Sequence, residues 1–346
     1  MSLLATRMLE RRASGNLDKW EYRAAQSGAL DFVARDTDRP DSIATEEMKQ
    51  KFRSAFSTDV KVPVINFDSG VSIGNVRSHT VADSLNTSAL VTITSATYTF
   101  GFTQAPALYM NNEISGQRDF NVNMEKYELK LMDTLDAVAV ALMESNKTQV
   151  LANNLGYTVA GDTVNFGVGD ADKAFGEIER MQRSNKFFGP MHVIGNRGVD
   201  SVVGNLEQFS TYNTQNKALE FKNKTFHYTD GIADAAGKKA TGYMIAPGST
   251  AMMFRFDREA ELGTVSQHSG YTWGINRLPI TGIPVGTMEY ESVGDYSSTF
   301  GAATADGKAI RKYHFGFSVD IAFMFAYNSD GATIASPCIK FDIANA

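Results

Sequence analysis

The sequence holds a single cysteine, Cys338, among its 346 residues. One thiol cannot form an intrachain disulfide framework. Cys338 stands in an alternating apolar segment, where we expect a small buried residue rather than a nucleophile. The chain must therefore be stabilised by its own apolar core, and a chain of this length can bury a large one.

An excess of basic residues and long apolar runs are also missing. Lys and Arg total 33 against 39 Asp and Glu, so the formal net charge is −6. Proteins that grip phosphate backbones tightly are usually basic, which disfavours dedicated nucleic-acid binding. Runs such as Ala137–Met143 fall far below the ~18 residues of a membrane span. With no signal-peptide pattern, the sequence predicts a protein made in the cytoplasm with no membrane partner.

Patterns of catalytic or metal-binding residues are scarce. None of the five histidines forms an i, i+4 pair, and none joins the cysteine in a ligand cluster. His192 lies in an apolar segment and is expected to pack in a strand. No Walker loop and no dinucleotide-binding glycine pattern occurs.

Three short segments match part of the residue pattern of a known site but lack its other required features. The segment GVSIG at residues 70–74 matches the nucleophile elbow of hydrolases, but no helical pattern follows it. Residues 167–170 resemble a phosphate loop without its lysine and third glycine. Asp36, Asp38 and Asp41 lack the glycine and distal glutamate of a calcium loop, so we interpret them as solvated loop charges. The sequence therefore predicts no catalytic, cofactor-binding or metal-binding residues and no cofactor.

Residues 1–53 differ from the rest of the chain in composition. They hold 19 charged residues, 10 basic and 9 acidic, against 53 in the remaining 293. Thr45 is placed to cap a short helix, on which Met48, Phe52 and Phe56 would share one face. This segment is typical of an extended arm that needs a partner surface.

Residues 60–102 have the pattern of two long strands with a polar, glycine-containing tip between them. The alternating apolar residues are Val60, Val62, Val64, Val91, Ile93, Tyr98, Phe100 and Phe102. The sequence thus predicts a protruding hairpin. Because isolated two-stranded hairpins are marginal in water, the hairpin would need an outside surface.

A helical stripe then predicts one long helix over about 119–151. Its apolar residues are Met124, Tyr127, Leu131, Leu135, Val138 and Leu142. At 1.5 Å per residue this helix would be roughly 50 Å long, well above the mean for globular domains.

Later segments predict shorter elements in a mixed order. We expect helices over 170–181 and 198–209, with a strand over 191–194 between them. Near the end, a long strand alternates with period two, and a last strand covers 338–343. The residues predicted to share one face of the long strand are Phe315, Phe317, Val319, Ile321, Phe323 and Phe325. The predicted fold class is α+β.

In the order of its elements the chain resembles the major capsid protein family of tailed bacteriophages, which has the Hong Kong 97-like fold. The segment AVAVALM at 137–143 looks like that family's spine helix. GPMHVIGN at 189–196 looks like the strand leading into the next helix of its axial domain. YMIAPGS at 243–249 and KYHFGF at 312–317 are similar to its later strands.

The resemblance implies a division of the chain into four parts. Residues 1–58 would form an N-terminal arm, and 59–105 an extended hairpin, the E-loop. Residues 106–160 and 280–330, with the spine helix, would form a peripheral domain. Residues 161–279 and 331–346 would form an axial domain.

The same resemblance implies a function, a set of partners and a location. Subunits would assemble into pentamers and hexamers that tile an icosahedral shell around double-stranded DNA. A separate scaffolding protein and a portal are the implied partners, the presence of decoration proteins stays open, and the virion capsid is the implied location. Tyr98, Phe100, Phe102, Met48 and Phe52 are candidates for burial on assembly, although each could equally close its own subunit's core.

Three alternatives stay open from the sequence. An encapsulin-like bacterial compartment would share the fold and enclose a cargo enzyme. A soluble α+β enzyme or binding protein would be a monomer or small oligomer with an ordered cleft. A tail-tube or head-completion protein is a further structural possibility.

Covalent cross-linking between subunits is not expected. Lys61, at the base of the hairpin, is the only lysine in residues 60–102, and Arg77 near the tip stays protonated and cannot act as an amine nucleophile. Particles boiled in denaturant should run on a gel as a single band at the 37.8 kDa chain mass, and Lys61→Ala should leave that band unchanged. A ladder of covalent oligomers would contradict this prediction.

Overall fold

A computed structural model describes residues 3–4, 6–8, 27–55, 57, 59–65, 88–106, 116–151, 157–171, 173–210, 224–257, 260–261, 265–266, 270–295, 309–326 and 335–345. The fold class is α+β, as predicted. The chain divides into two compact units. The first comprises Met1–Ser27, Ala96–Asp136 and Phe254–Ile321, and the second comprises Gly28–Ser95, Ala137–Met253 and Ala322–Ala346.

Helices and strands follow one another in a mixed order. The helices are α1 (Gly28–Thr37), α2 (Glu46–Ser54), α3 (Gly116–Ser145), α4 (Ala174–Ser184) and α5 (Arg197–Ser210). The first strands are β1 (Asp59–Ile65), β2 (Ser88–Thr94), β3 (Ala96–Gln104), β4 (Thr158–Ala160), β5 (Thr163–Phe166), β6 (Met191–Gly195) and β7 (Lys224–Tyr228). The later strands are β8 (Lys238–Ile245), β9 (Thr250–Arg255), β10 (Val265–Ser266), β11 (Tyr271–Arg277), β12 (Pro284–Asp295), β13 (Ala309–Phe325) and β14 (Cys338–Ala344).

The first unit is built on an antiparallel sheet with the strand order β10-β11-β12-β13-β3. Phe102 of β3 is paired in register with Phe315 of β13. The first part of α3 covers this aromatic pair, because the Phe120 ring meets Phe315 edge-on at 5.5 Å. Such packing of rings adds to the stabilisation from burial alone. Strands β10 and β11, which the sequence prediction gave to the axial domain, lie in this sheet.

The second unit contains a mixed sheet with the strand order β4-β5-β14-β8-β6-β7. Helices α4 and α5 pack on one face, where Ile178, Val199 and Phe341 are completely buried. On the other face, the ring of Phe32 from α1 lies 4.9 Å from His192 of β6. The sheet is thus covered on both faces, as its nearly continuous apolar strands require.

The long helix is confirmed, with its ends shifted. It covers Gly116–Ser145 instead of 119–151. The helix ends there because the backbone N–H of Thr148 donates to the carbonyl of Cys338 at 2.8 Å, which places the chain beside β14. Met124 and Leu135 of the predicted stripe are fully buried, whereas Tyr127 is 38% exposed.

The shorter elements are also close to their predicted positions. The helix predicted over 170–181 covers Ala174–Ser184 and follows a single 3-10 turn at Val168–Asp170. The other predicted helix covers Arg197–Ser210, and the strand between them covers Met191–Gly195. In β14, Ile339, Phe341 and Ile343 are buried, as the alternation predicts.

The long strand β13 alternates as predicted, but its buried side changes along its length. From Phe315 to Ile321 its odd-numbered residues are buried. Beyond that point Ala322 and Met324 are buried, while Phe323 and Phe325 are half-exposed. The buried side changes after Ile321 because the strand leaves the first unit there and its last residues pack in the core of the second.

The predicted hairpin is shorter than expected on its second strand. Strands β1 and β2 pair from Asp59 with Thr94 to Ile65 with Ser88. Strand β2 ends at Thr94. After Ser95 the chain continues as β3, which pairs with β13 in the first unit. The alternating aromatic residues of 96–104 belong to that sheet, where they have a large apolar surface to cover.

Part of the predicted arm packs on its own chain. In α1, Phe32 and Val33 are buried. Thr45 caps α2 as predicted, its hydroxyl accepting from the backbone N–H of Met48 at 3.3 Å. Phe52 of α2 is fully buried in a core cluster. Residues 28–55 therefore find their partner surface in the second unit, and Phe56 lies outside the described residues.

Replacing Phe52 should lower the stability of the folded protein. Phe52→Ala removes a fully buried ring and is expected to lower the free energy of unfolding by about 3–5 kcal/mol, measured by urea denaturation. Phe188→Ala is the matched control, since that ring is 72% exposed and its loss should change stability by less than about 0.5 kcal/mol. Equal effects of the two substitutions would contradict the assignment of Phe52 to the core.

Candidate assembly surfaces and anchoring contacts

The ribbon formed by β1 and β2 is packed into a core at its base and carries an exposed side chain further along. Val60 and Ile93, near the base, are buried in the same cluster as Phe52. Further along β2, the side chain of Leu90 is 66% exposed. Because an isolated two-stranded ribbon is marginal in water, a segment of this kind gains stability from a further surface to lie on. The tip, with the segment at 70–74 and Arg77, lies outside the described residues.

The aromatic candidates on β3 are partly buried in their own unit. Phe100 stacks on Phe317 with ring centroids 4.7 Å apart. Tyr127 of α3 lies 5.6 Å from Phe100 and 6.1 Å from Phe102, nearly parallel to both. Tyr98 is half-buried, and that burial raises the pKa of its hydroxyl. This stack leaves part of each ring exposed, so these residues can contribute to both a core and an interface.

The two candidates on α2 have different environments. Phe52 is completely buried and closes its own subunit's core. Met48 packs against the same cluster but is only half-buried. Burial of Phe52 on assembly is thus excluded, because its ring has no exposed surface to lose.

A buried carboxylate attaches the end of α1 to the turn between β8 and β9. Asp36 is 1% exposed. Its Oδ1 accepts from the backbone N–H of Gly248 at 2.6 Å, and its Oδ2 accepts from the N–H and hydroxyl of Thr250, each at 2.8 Å. The interpretation of Asp36 as a solvated loop charge is therefore wrong, whereas Asp38 and Asp41 are exposed. The spacing of aspartates in a loop gave no signal of this long-range contact.

Thr37 extends the same attachment by one residue. Its hydroxyl donates to the carbonyl of Val33 and accepts from the backbone N–H of Met252, both at 2.7 Å. Gly248 has a φ of +75°, and a Cβ there would lie 2.6 Å from the Asp41 carbonyl oxygen. Glycine is therefore needed where the turn meets the segment after α1.

A second polar cluster joins the end of α3 to the mixed sheet. Burial alone would raise the pKa of Glu144, but hydrogen bonds from Lys147, Tyr243 and Lys340 outweigh it and lower that pKa to about 2. Lys147 Nζ lies 2.6 Å and Lys340 Nζ 2.9 Å from the carboxylate. Burial, together with the hydrogen bond to Glu144, raises the pKa of Tyr243. The cluster is a structural cross-link, since every group in it already has a partner.

Two histidines meet in a way that their sequence positions do not suggest. His192 of β6 and His227 of β7 lie on parallel paired strands. The Nδ1 of His192 is 3.1 Å from the Nε2 of His227. On the far side, the Nδ1 of His227 is 3.7 Å from Oδ2 of Asp31. Only the pairing of the two strands, separated by a helix, brings these rings together.

The remaining residues considered for a chemical role are buried, hydrogen-bonded to neighbouring side chains or part of a turn. Cys338 is completely buried, and burial raises the pKa of its thiol, which makes it a poor nucleophile. His314 is held between the hydroxyls of Thr103 at 2.9 Å and Ser292 at 2.7 Å. Residues 168–170 form a 3-10 turn before α4. His79 and His268 lie outside the described residues.

A polar cleft of about 390 Å³ lies beside the start of α5. Its charged lining is already paired: Arg197 with Asp230 at 3.2 Å, and the Asn196 amide with Asp234 at 2.7 Å. In the described part of the chain, no group of three or more His, Cys, Asp or Glu side chains could hold a metal ion. No described helix is long and apolar enough to cross a membrane.

Comparison with known proteins gives matches among solved structures. A chain from the capsid structure of cyanophage P-SCSP1u is 11% identical, with 84% of each chain covered and a TM-score of 0.47. A chain from the mature capsid of bacteriophage PhiM1 is 9% identical, covering 84% of this chain and 83% of that one, with a TM-score of 0.46. A chain from Mycobacterium phage Che8 is 7% identical, covering 82% and 84%, with a TM-score of 0.43. No family model and no curated protein matches the chain.

Neutralising the buried carboxylate should weaken the attachment of α1. Asp36→Asn keeps the side-chain shape but replaces one acceptor oxygen with a donor that faces an N–H group. We expect a loss of about 1–3 kcal/mol in the free energy of unfolding. The matched control is Asp38→Asn, an exposed aspartate two residues on. Thermal unfolding would show the difference, and equal midpoints for the two variants would contradict the anchoring role.

Proposed function

We propose that this chain is the major capsid protein of a tailed phage, a subunit that assembles into pentamers and hexamers around double-stranded DNA. The observation that supports this most directly is the combination of a 30-residue helix, a 17-residue strand and a two-stranded ribbon in one chain. These elements occur in the order that the resemblance to the capsid family implies. Long elements and a ribbon give a subunit extended surfaces to share with its neighbours.

The ribbon is the part of the subunit best suited to bind a neighbour. Its base is fixed in a core by Val60 and Ile93, while Leu90 is exposed beyond it. In a closed shell every subunit can offer a ribbon and receive one, so modest contacts repeat at each interface. Summed over many subunits, such contacts give a stable particle.

The four-part division is part of the proposal, with the bounds of the E-loop and of the peripheral domain changed from those expected from the sequence. We assign the sheet of β3, β10, β11, β12 and β13 with the first part of α3 to the peripheral domain. The mixed sheet with α4 and α5 is assigned to the axial domain. Residues 59–94 are the proposed E-loop. Of the proposed arm, residues 28–55 pack on the second unit.

The proposed partners follow from the same function. Other copies of the chain are the main partner, with a separate scaffolding protein, a portal and decoration proteins beside them. The DNA would be enclosed without sequence-specific binding, in agreement with the net charge of −6. The proposal places the mature protein in the virion capsid after its synthesis in the host cytoplasm, and it assigns no enzymatic activity.

The test is assembly of the expressed chain. Size-exclusion chromatography with light scattering and negative-stain imaging should show shells, tubes or capsomer rings. Leu90→Asp places a charge on the exposed ribbon and should leave the folded chain unassembled, whereas Leu90→Met keeps the apolar contact and should assemble. Assembly by the aspartate variant would contradict the role of the ribbon. A chain that stays at 37.8 kDa with a crowding agent or candidate scaffold would overturn the capsid proposal.

The contents of assembled particles separate the capsid from its closest alternative. Enclosed double-stranded DNA in particles from an infected host supports a phage shell. A co-purified cargo enzyme in its place would indicate an encapsulin-like compartment.

A further inference from the structure

The first turns of α1 rest on two imidazole rings. Phe32 lies 4.9 Å from the ring of His192 and 5.7 Å from the ring of His227. The Nδ1 of His192 and the Nε2 of His227 are 3.1 Å apart. A hydrogen bond at this distance needs one ring nitrogen to be an acceptor, and only a neutral imidazole provides one. The hydrogen bond that joins β6 to β7 beneath Phe32 therefore depends on keeping at least one ring neutral.

The charged groups around the pair disfavour further protonation. Burial is the largest cause that lowers the pKa of His192, to about 4, and positive charge on His227, Arg39 and Arg35 adds to it. Asp31 is the acidic group that faces the pair, and it lies against His227 on the side away from His192. Arg35 also pairs with Asp31, at 2.9 Å. One carboxylate already shared in this way cannot neutralise two imidazolium rings.

We propose that His192 and His227 form an acid-sensitive contact that holds the N-terminal half of α1 on the mixed sheet and releases it when both rings are protonated. Two imidazolium rings are both donors, so the shared hydrogen bond is lost. Their charges then repel each other across about 3 Å beneath the Phe32 ring. This contact does not depend on the proposed capsid function, because all its groups belong to one chain.

The release is local, because the other end of α1 is attached separately. Asp36 and Thr37 bind the backbone of Gly248, Thr250 and Met252. Neither of these attachments involves a histidine. Acid therefore frees the start of α1, while its last turn stays in place.

The direction of the pH effect follows from linkage. The pKa of His192 lies below its ordinary value of 6.5 in the closed form, so the open form takes up a proton that the closed form excludes. The contact is at full strength above about pH 6.5 and weakens as the pH falls toward 4. Each proton taken up raises the opening equilibrium about tenfold per pH unit within this window.

Hydrogen exchange measured by mass spectrometry on the full chain tests this, with labelling times scaled for the intrinsic pH dependence of exchange. Peptides from residues 28–35 should lose protection by at least about tenfold between pH 6 and pH 4.5. Peptides from the middle of α3 should keep theirs. If residues 28–35 keep their protection until the whole chain unfolds, the proposal is overturned.

Variants assign the effect to the two rings. In His192→Gln with His227→Gln, protection of residues 28–35 should no longer change between pH 6 and pH 4.5. The matched control is His314→Gln, which changes a half-buried histidine of the first unit and should leave the acid response as it is in the wild type. An unchanged acid response in the double variant would assign the release to carboxylates and reject the histidine pair.

A second measurement needs no substitution at the contact. The chain has five histidines, few enough for NMR of the wild type with ¹³C-labelled histidine rings. One ring should titrate near pH 4, and its titration should coincide with the loss of protection in residues 28–35. Titration of all five rings at their ordinary value, with α1 still protected, would overturn the proposal even if the double variant fails to fold.

Discussion

Strand β13 supplies buried side chains to two cores, and this double requirement constrains the elements around it. From Phe315 to Ile321 its odd-numbered residues are buried, and the aromatic rings among them pack on β3 and the first part of α3. From Ala322 onward its even-numbered residues are buried beside Phe52. Because side chains alternate along a strand, the buried side must change at one peptide. A slip of one residue in register would expose both sets at once.

The core around Phe52 is assembled from segments that are far apart in the sequence. It contains residues of α2, β1, β2 and β9 as well as the end of β13. Apolar contacts alone are non-directional and leave such segments free to slide. Asp36 removes that freedom, because its three hydrogen bonds fix α1 against the turn before β9. Hydrogen bonds to a charged group contribute about 1.5–3 kcal/mol each, so losing this one side chain weakens the whole attachment.

The sequence predicted what depends on local periodicity. The stripe of α3, the alternation in β13 up to Ile321, the cap at Thr45 and the buried Cys338 all arise from patterns within a few residues. The misses depend on contacts between distant segments. Neither the carboxylate of Asp36 nor the pair of His192 and His227 leaves a signal in sequence spacing, because strand pairing and turns create both. The end of β2 at Thr94 was missed for the same reason, since the aromatic alternation continues past it toward a different partner strand.

The same long-range contacts determine how the subunit presents its ribbon. Val60 and Ile93 anchor the base of the ribbon in the core that Ala322 and Met324 complete. The ribbon therefore leaves the subunit from a packed base, with Leu90 exposed beyond it. A segment whose base is already ordered loses less conformational freedom when it binds than a free tail would. If the chain assembles as proposed, burying residues 28–55 within the chain would serve assembly indirectly, because it gives the exposed ribbon a rigid origin from which repeated, equivalent contacts can form.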